Sequence, residues 1–160
     1  MKTNHTNVKK IIEELTTRKQ SISFAESCTG GQIAAAFTSI SGASAVLNGS
    51  MVTYSNEIKH SWLGVEQKVL ETFGAVSKEC VSQMLAGIQK TSGADYVLAV
   101  SGIAGPTGGT DEKPVGTVYI GIKSAENEEV NHCLFKGDRA SIQAQSTAFA
   151  IQKLEEVLEI

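Results

Sequence analysis

Three polar stretches of this chain follow apolar runs and carry the side chains able to do chemistry. ESCTGG, residues 26–31, sets a carboxylate, a hydroxyl, a thiol and a second hydroxyl in a row before two glycines. TYSNEIKH, residues 53–60, holds Tyr54 and Lys59. SGIAGPTGGTDEKPVGT, residues 101–117, combines five glycines and two prolines with Lys113. A hydroxyl at the start of a helix, beside free backbone N–H groups, is how a nucleophile is set next to an oxyanion hole. The same hydroxyl can simply cap the helix while the glycines turn the chain, so for Ser27 and Thr29 both roles stay open. The long third stretch suits a backbone that approaches a ligand closely. It lacks the GK[ST] ending of a phosphate-binding loop, and the chain has no GxGxxG.

The elements that must position these residues follow from periodicity. Val8, Ile11, Ile12 and Leu15 predict an amphipathic helix over 6–19, and SISFA from Ser21 predicts a strand. Residues 32–40 place Ile33, Ala36, Phe37 and Ile40 on one helical face, so ESCTGG is a strand-to-helix turn. GSMVTYS reads as a second strand, NEIKHSWL as a helical turn stopped by Gly64, and Glu66 to Thr72 as a brief helix. Ser77 is placed to cap a helix whose Val81, Met84, Leu85 and Ile88 recur at i, i+3, i+4 and i+7, with Gly93 closing it. DYVLAVSG is a nearly continuous apolar run of strand length, the mark of a central strand covered on both faces. GTVYIGIKS and VNHCLFKG predict neighbouring antiparallel strands. Asp138 then caps a final helix that buries Ile142, Phe149, Ile151, Leu154 and Leu158. Strands alternating with helices, then a strand pair, predict one domain over residues 1–160: a three-layer α/β/α sandwich with a mixed sheet. Ligands bind such sheets outside the carboxyl ends of the strands, where all three polar stretches fall.

Composition narrows the class. The 160 residues are 41% hydrophobic with a net charge of −3, enough for one core and without the basic surface of a nucleic-acid binder. Three widely spaced cysteines and no CxxC pair argue against a disulfide framework or a zinc site. No stretch approaches the length of a membrane span, and no leader pattern opens the chain, so a cytoplasmic protein is expected. Met51, Val52, Trp62 and Leu63 are candidates to cover a subunit interface, and a homo-oligomer is expected.

AESCTGG at 25–31, YSNEIK at 54–59, GAVS at 74–77, SGIAGPTGGTDEKPVGTV at 101–118 and GDR at 137–139 together resemble the CinA C-terminal domain family, in its stand-alone form without an added N-terminal domain. The resemblance implies an amidohydrolase that converts nicotinamide mononucleotide to nicotinate mononucleotide and ammonia, with no metal or cofactor. It further implies Ser27 as nucleophile, assisted by Thr29 and nearby N–H groups. Lys59 is chosen as the base, because a partly buried lysine can lose its proton near neutral pH; Tyr54 is the alternative. Gly30, Gly31, Ser101, Gly102, Gly105, Lys113 and Arg139 are the substrate-binding candidates, with Lys113 and Arg139 the cations for the phosphate. Ser101 stands where many relatives have threonine. Cys28 with Glu26 and Lys59 is a rival nucleophile set, and a triad built on His60 is weaker, because adjacency to Lys59 turns that histidine away. A nucleotide-binding module without catalysis, or a competence-associated accessory protein, is the reading from a different class.

Overall fold

The computed structural model describes residues 2–160. Its strands are β1 (Ile22–Glu26), β2 (Leu47–Val52), β3 (Tyr96–Gly102), β4 (Thr117–Lys123) and β5 (Glu128–Leu134). They form one mixed sheet in the order β2-β1-β3-β4-β5. β2, β1 and β3 run parallel, and β4 and β5 add antiparallel to β3. The helices are α1 (Lys2–Arg18), α2 (Gln32–Thr38), α3 (Asn56–Leu63), α4 (Gln67–Thr72), α5 (Lys78–Ser92) and α6 (Arg139–Leu158).

Two cores sandwich the sheet. On one face α1, α2 and α6 pack through Ile11, Leu15, Phe37, Ile151 and Leu154 against Phe24, Leu98 and Val100. On the other, α3 and α5 pack through Leu63, Val81, Met84 and Leu85 against Ala25, Val97 and Ala99. Successive strand residues point to opposite faces, which is why Phe24 and Ala25 belong to different cores. The run Val97 to Val100 is buried throughout, as a strand covered on both sides must be. The fold is the single-domain α/β/α sandwich with a mixed sheet that the element pattern implies.

The caps form where the side chains suggest them. Ser77 Oγ accepts from the Cys80 N–H at 3.1 Å, Gly93 closes α5 at φ 66°, and Asp138 accepts from the Ser141 N–H at 2.8 Å. Boundaries differ where local chemistry competes with periodicity. β2 stops at Val52 instead of reaching Ser55, because the Ser55 hydroxyl accepts from the Ile58 N–H at 3.1 Å and starts α3. β5 begins at Glu128, because the Ser124 N–H donates to the Asn127 carbonyl and tightens the turn after β4. Phe149 is only half-buried. Of the apolar residues expected at a subunit interface, Leu63 and Met51 belong to the α3/α5 core and are spent inside the chain, whereas Val52 and Trp62 are exposed.

α3 reaches its depth through one close approach. A Cβ added at Gly87 of α5 would lie 2.0 Å from the Leu63 carbonyl oxygen, so only glycine lets the end of α3 rest on α5. Gly87→Ala is expected to destabilise the fold by about 1–3 kcal/mol or more, read as a lower urea midpoint, while substitution of the exposed Trp62 by Gln leaves the midpoint nearly unchanged.

Candidate active site

Glu26 and Ser27 are consecutive residues at the carboxyl end of β1, so their side chains leave on opposite faces of the sheet. Glu26 turns toward α2 and is 0% exposed. Its carboxylate accepts from the Thr29 hydroxyl at 2.7 Å, the Ile33 and Ala34 N–H groups at 3.0 Å each, and the Ser50 hydroxyl at 3.3 Å. These donors include N–H groups of the first turn of α2, which a carboxylate satisfies better than a hydroxyl. Neither Ser27 nor Thr29 caps that helix. Ser27 turns the other way, toward α3, and its N–H donates to the Val100 carbonyl of β3 at 3.0 Å. The turn then closes with the Gly30 N–H on the Ser27 carbonyl, and Gly30 and Gly31 take φ 58° and 101°. That left-handed region is open to glycine at little cost.

Lys59 meets the serine from the facing layer. It sits one turn before Leu63 on the inner stripe of α3 and is only 2% exposed. Its Nζ lies 3.0 Å from Ser27 Oγ and 2.9 Å from the Tyr54 carbonyl oxygen. Burial strips water from the ammonium form and holds the Lys59 pKa below the ordinary lysine value, outweighing the upward pull of the Cys80 and Cys28 thiols. An ammonium has three protons to place, and these two oxygens accept two of them. A neutral amine fits both contacts fully, donating to the carbonyl and receiving the serine proton on its lone pair.

The Ser27–Lys59 pair forms part of the floor of a cleft of about 330 Å³ over the carboxyl ends of β1 and β3. Tyr54, Ser101, Gly102, Gly105 and Arg139 line it as well. Arg139 pairs with neither Asp138 nor Glu26: its guanidinium donates to the Gly105 carbonyl at 2.7 Å and to the Tyr54 hydroxyl at 3.1 Å, joining three segments at the rim. Four expected site residues lie elsewhere. The Thr29 hydroxyl is buried against Glu26, Gly30 and Gly31 shape the turn without lining the cleft, and Lys113 Nζ donates to the Phe73 carbonyl at 2.5 Å. The His60 Nδ1–H donates to the Val65 carbonyl, and Glu57 faces outward. Cys28 borders the cleft, yet its thiol packs in the α1/α2/α6 core, and burial pushes its pKa up to about 12. A thiol so hard to ionise is a poor nucleophile.

The sequence matches the CinA C-terminal domain over residues 4–158. The chain belongs to the CinA C-terminal domain family. A CinA-like protein of Endomicrobium trichonymphae is 49% identical over 144 residues, covering 90% of this chain and 34% of that one. A putative competence-damage inducible protein of Clostridium beijerinckii is 43% identical over 157 residues, covering 98% and 38%. The chain thus spans little more than a third of the length of these relatives. Among solved structures, a CinA superfamily protein of Klebsiella pneumoniae superposes with a TM-score of 0.93 at 36% identity, covering 98% of both chains. A competence/damage inducible protein of Agrobacterium tumefaciens gives 0.94 at 39% identity, covering 98% of this chain and 96% of that one.

The motifs quoted for the CinA resemblance converge on one cleft although they are scattered along the chain. Ala75 and Val76, from GAVS, form part of its wall, and Thr107 and Gly108 come from the glycine-rich loop. Asn56, Ile103 and Ala104 also line the cleft; they lie within the YSNEIK and SGIAGP motifs, but neither an amide nor an apolar side chain there singles itself out for catalysis. Gln143 of α6 donates to the Cys28 carbonyl at 2.9 Å and so braces the CinA turn from behind; a contact between residues so far apart in the chain leaves no local signal in the sequence. The contrast between two adjacent side chains is testable. Ser27→Ala is expected to lower turnover by several orders of magnitude, whereas Cys28→Ala and a thiol-blocking reagent leave it within a few-fold. Turnover abolished by the thiol reagent and by Cys28→Ala, but retained in Ser27→Ala, would reverse the assignment.

Proposed function

We propose that this CinA-family chain is an amidohydrolase acting on the carboxamide of nicotinamide mononucleotide. The observation that carries the reading is the buried Lys59 amine 3.0 Å from Ser27 Oγ. The motif resemblance supplies the substrate. Ser27 Oγ attacks the carboxamide carbon as its proton passes to the neutral Lys59 amine, and the carbonyl electron pair moves onto oxygen. The Cys28 N–H, directly after the nucleophile in a residue that borders the cleft, donates to no carbonyl within the turn and is available to that oxyanion. The Lys59 ammonium then protonates the amide nitrogen, the C–N bond breaks and ammonia leaves, with the acyl group held as an ester on Ser27. Water attacks the ester carbon with Lys59 again taking a proton. The nicotinate carboxylate departs and the serine hydroxyl is restored.

The cations lining the cleft are Lys59 and Arg139. Because Lys59 is favoured as the neutral amine, the substrate phosphate falls to Arg139, whose place in the first turn of α6 also favours an anion. Lys113, held at the Phe73 carbonyl, is left out of that role. The Tyr54 backbone carbonyl accepts from Lys59 and its hydroxyl accepts from Arg139 at the rim, so Tyr54 orients the base instead of replacing it.

Three measurements follow. Ammonia release is expected from nicotinamide mononucleotide and much less from the riboside, and Arg139→Ala is expected to raise KM for the mononucleotide by about tenfold or more. Equal use of the two substrates would remove the phosphate argument, and release from neither would favour a nucleotide-binding module without catalysis. The pH profile supplies its own sign. Only the deprotonated amine accepts the serine proton, so turnover rises as pH increases through a midpoint below the ordinary lysine value of about 10.4, and falls away on the acid side. Lys59→Met is expected to cost about 10²–10⁴-fold in kcat while keeping the fold, since the methionine stem fills the same apolar path. Lys59→Arg should fare no better, because guanidinium stays protonated; near-normal turnover in that variant would make the site's need a positive charge and return Tyr54 as the base.

A further inference from the structure

The residue that prepares Ser27 is its neighbour on the opposite face of the sheet. We infer that Glu26 is the positioning residue of the nucleophile: its buried carboxylate fixes the strand-to-helix turn so that Ser27 Oγ stays aimed at Lys59. This rests on Ser27 being the nucleophile, but not on the identity of the substrate.

Four donors converge on that carboxylate from three segments: the turn itself through Thr29, the first turn of α2 through Ile33 and Ala34, and β2 through Ser50. Both oxygens are used, the side chain is fully buried, and no cation pairs with it among the described residues. Its negative charge is therefore balanced by N–H and O–H dipoles alone, an arrangement that requires every donor to hold its place. The backbone is gripped at the same point, because the Thr53 N–H donates to the Glu26 carbonyl and the Ser27 N–H donates to Val100. With β2 on one side, β3 on the other and α2 behind, residue 27 has little freedom to rotate away from the amine.

The same contacts decide where an anion cannot go. The free N–H groups at the start of α2 are the natural oxyanion donors of such a turn, yet Ile33 and Ala34 are already committed to Glu26. Glu26 thereby closes the helix end to the substrate and restricts the reacting oxygen to N–H groups on the Ser27 face. The Thr29 hydroxyl, expected to polarise the substrate, instead serves this anchor.

The test uses a fluorophosphonate that phosphonylates an aligned serine with loss of fluoride, followed by intact mass, so that alignment is read without reference to nicotinamide mononucleotide. Glu26→Gln keeps the shape but sets an NH₂ group against N–H donors. It is expected to slow labelling of Ser27 by about 10²-fold and to lower kcat with little change in KM. Thr29→Val, which removes one donor and keeps the side-chain volume, secures the test should Glu26→Gln fail to fold; it is expected to slow labelling by a smaller factor. In Thr29→Val the pH midpoint of labelling stays at the wild-type value, because Lys59 lies on the other face. Folded Glu26→Gln or, failing that, folded Thr29→Val labelled at the wild-type rate would overturn the proposal. Fast wild-type labelling without any mononucleotide turnover would instead refute the substrate and leave the role of Glu26 standing.

Discussion

A primary amine almost wholly removed from water, with a hydroxyl and a carbonyl as its polar partners, is the constraint around which this site is built. An ammonium in that position lacks both its hydration and a counter-ion, a penalty of several kcal/mol in real proteins. The neutral form avoids it, and the neutral form is what a serine nucleophile needs beside it. Everything that keeps Lys59 buried therefore supports the proposed chemistry: the Ser55 cap that starts α3, the Leu63 contact one turn on, and the glycine at 87 that lets α3 lie close to α5. A looser α3 would admit water, restore the ammonium and remove the base without moving any reacting atom far.

The sheet contributes through alternation. Two adjacent residues of one strand end are used for opposite purposes, a carboxylate that organises the helix behind and a hydroxyl that faces the base in front. The turn is anchored independently of the cleft it borders, so under the proposed mechanism the walls can vary while the nucleophile stays fixed. Around it the rim is joined by Arg139, which touches Gly105 and Tyr54, and the glycine-rich loop is tied to the end of α4 by Lys113. Lys113 at that carbonyl also complements the negative end of the α4 dipole.

The sandwich was legible because its signals are local: Ser77, Asp138 and Gly93 act within four residues of themselves, and the apolar run before Gly102 reads as a central strand without any partner in view. Ser27, Tyr54 and Lys59 could be singled out because they sit in polar stretches at strand ends, and Arg139 because it follows the Asp138 cap at the start of the last helix in the GDR motif. What could not be read was direction. The choice between Thr29 facing the substrate and facing inward depends on Glu26, whose capping role involves residues seven and eight positions later and a serine in β2. Lys113 looks like a phosphate ligand from composition alone, and only the packing of the long loop against α4 sends it to Phe73. Strand β2 ended early for a local reason that the alternation of apolar residues cannot register, since a cap competes with the ladder for the same backbone.

The protonation state of Lys59 tests the account most directly. With lysine ε-carbons labelled, the resonance missing from Lys59→Met identifies the residue in an NMR titration of the unliganded protein. A midpoint clearly below the ordinary value of about 10.4 is the predicted result. A Lys59 resonance that titrates at or above that ordinary value would contradict a neutral buried base.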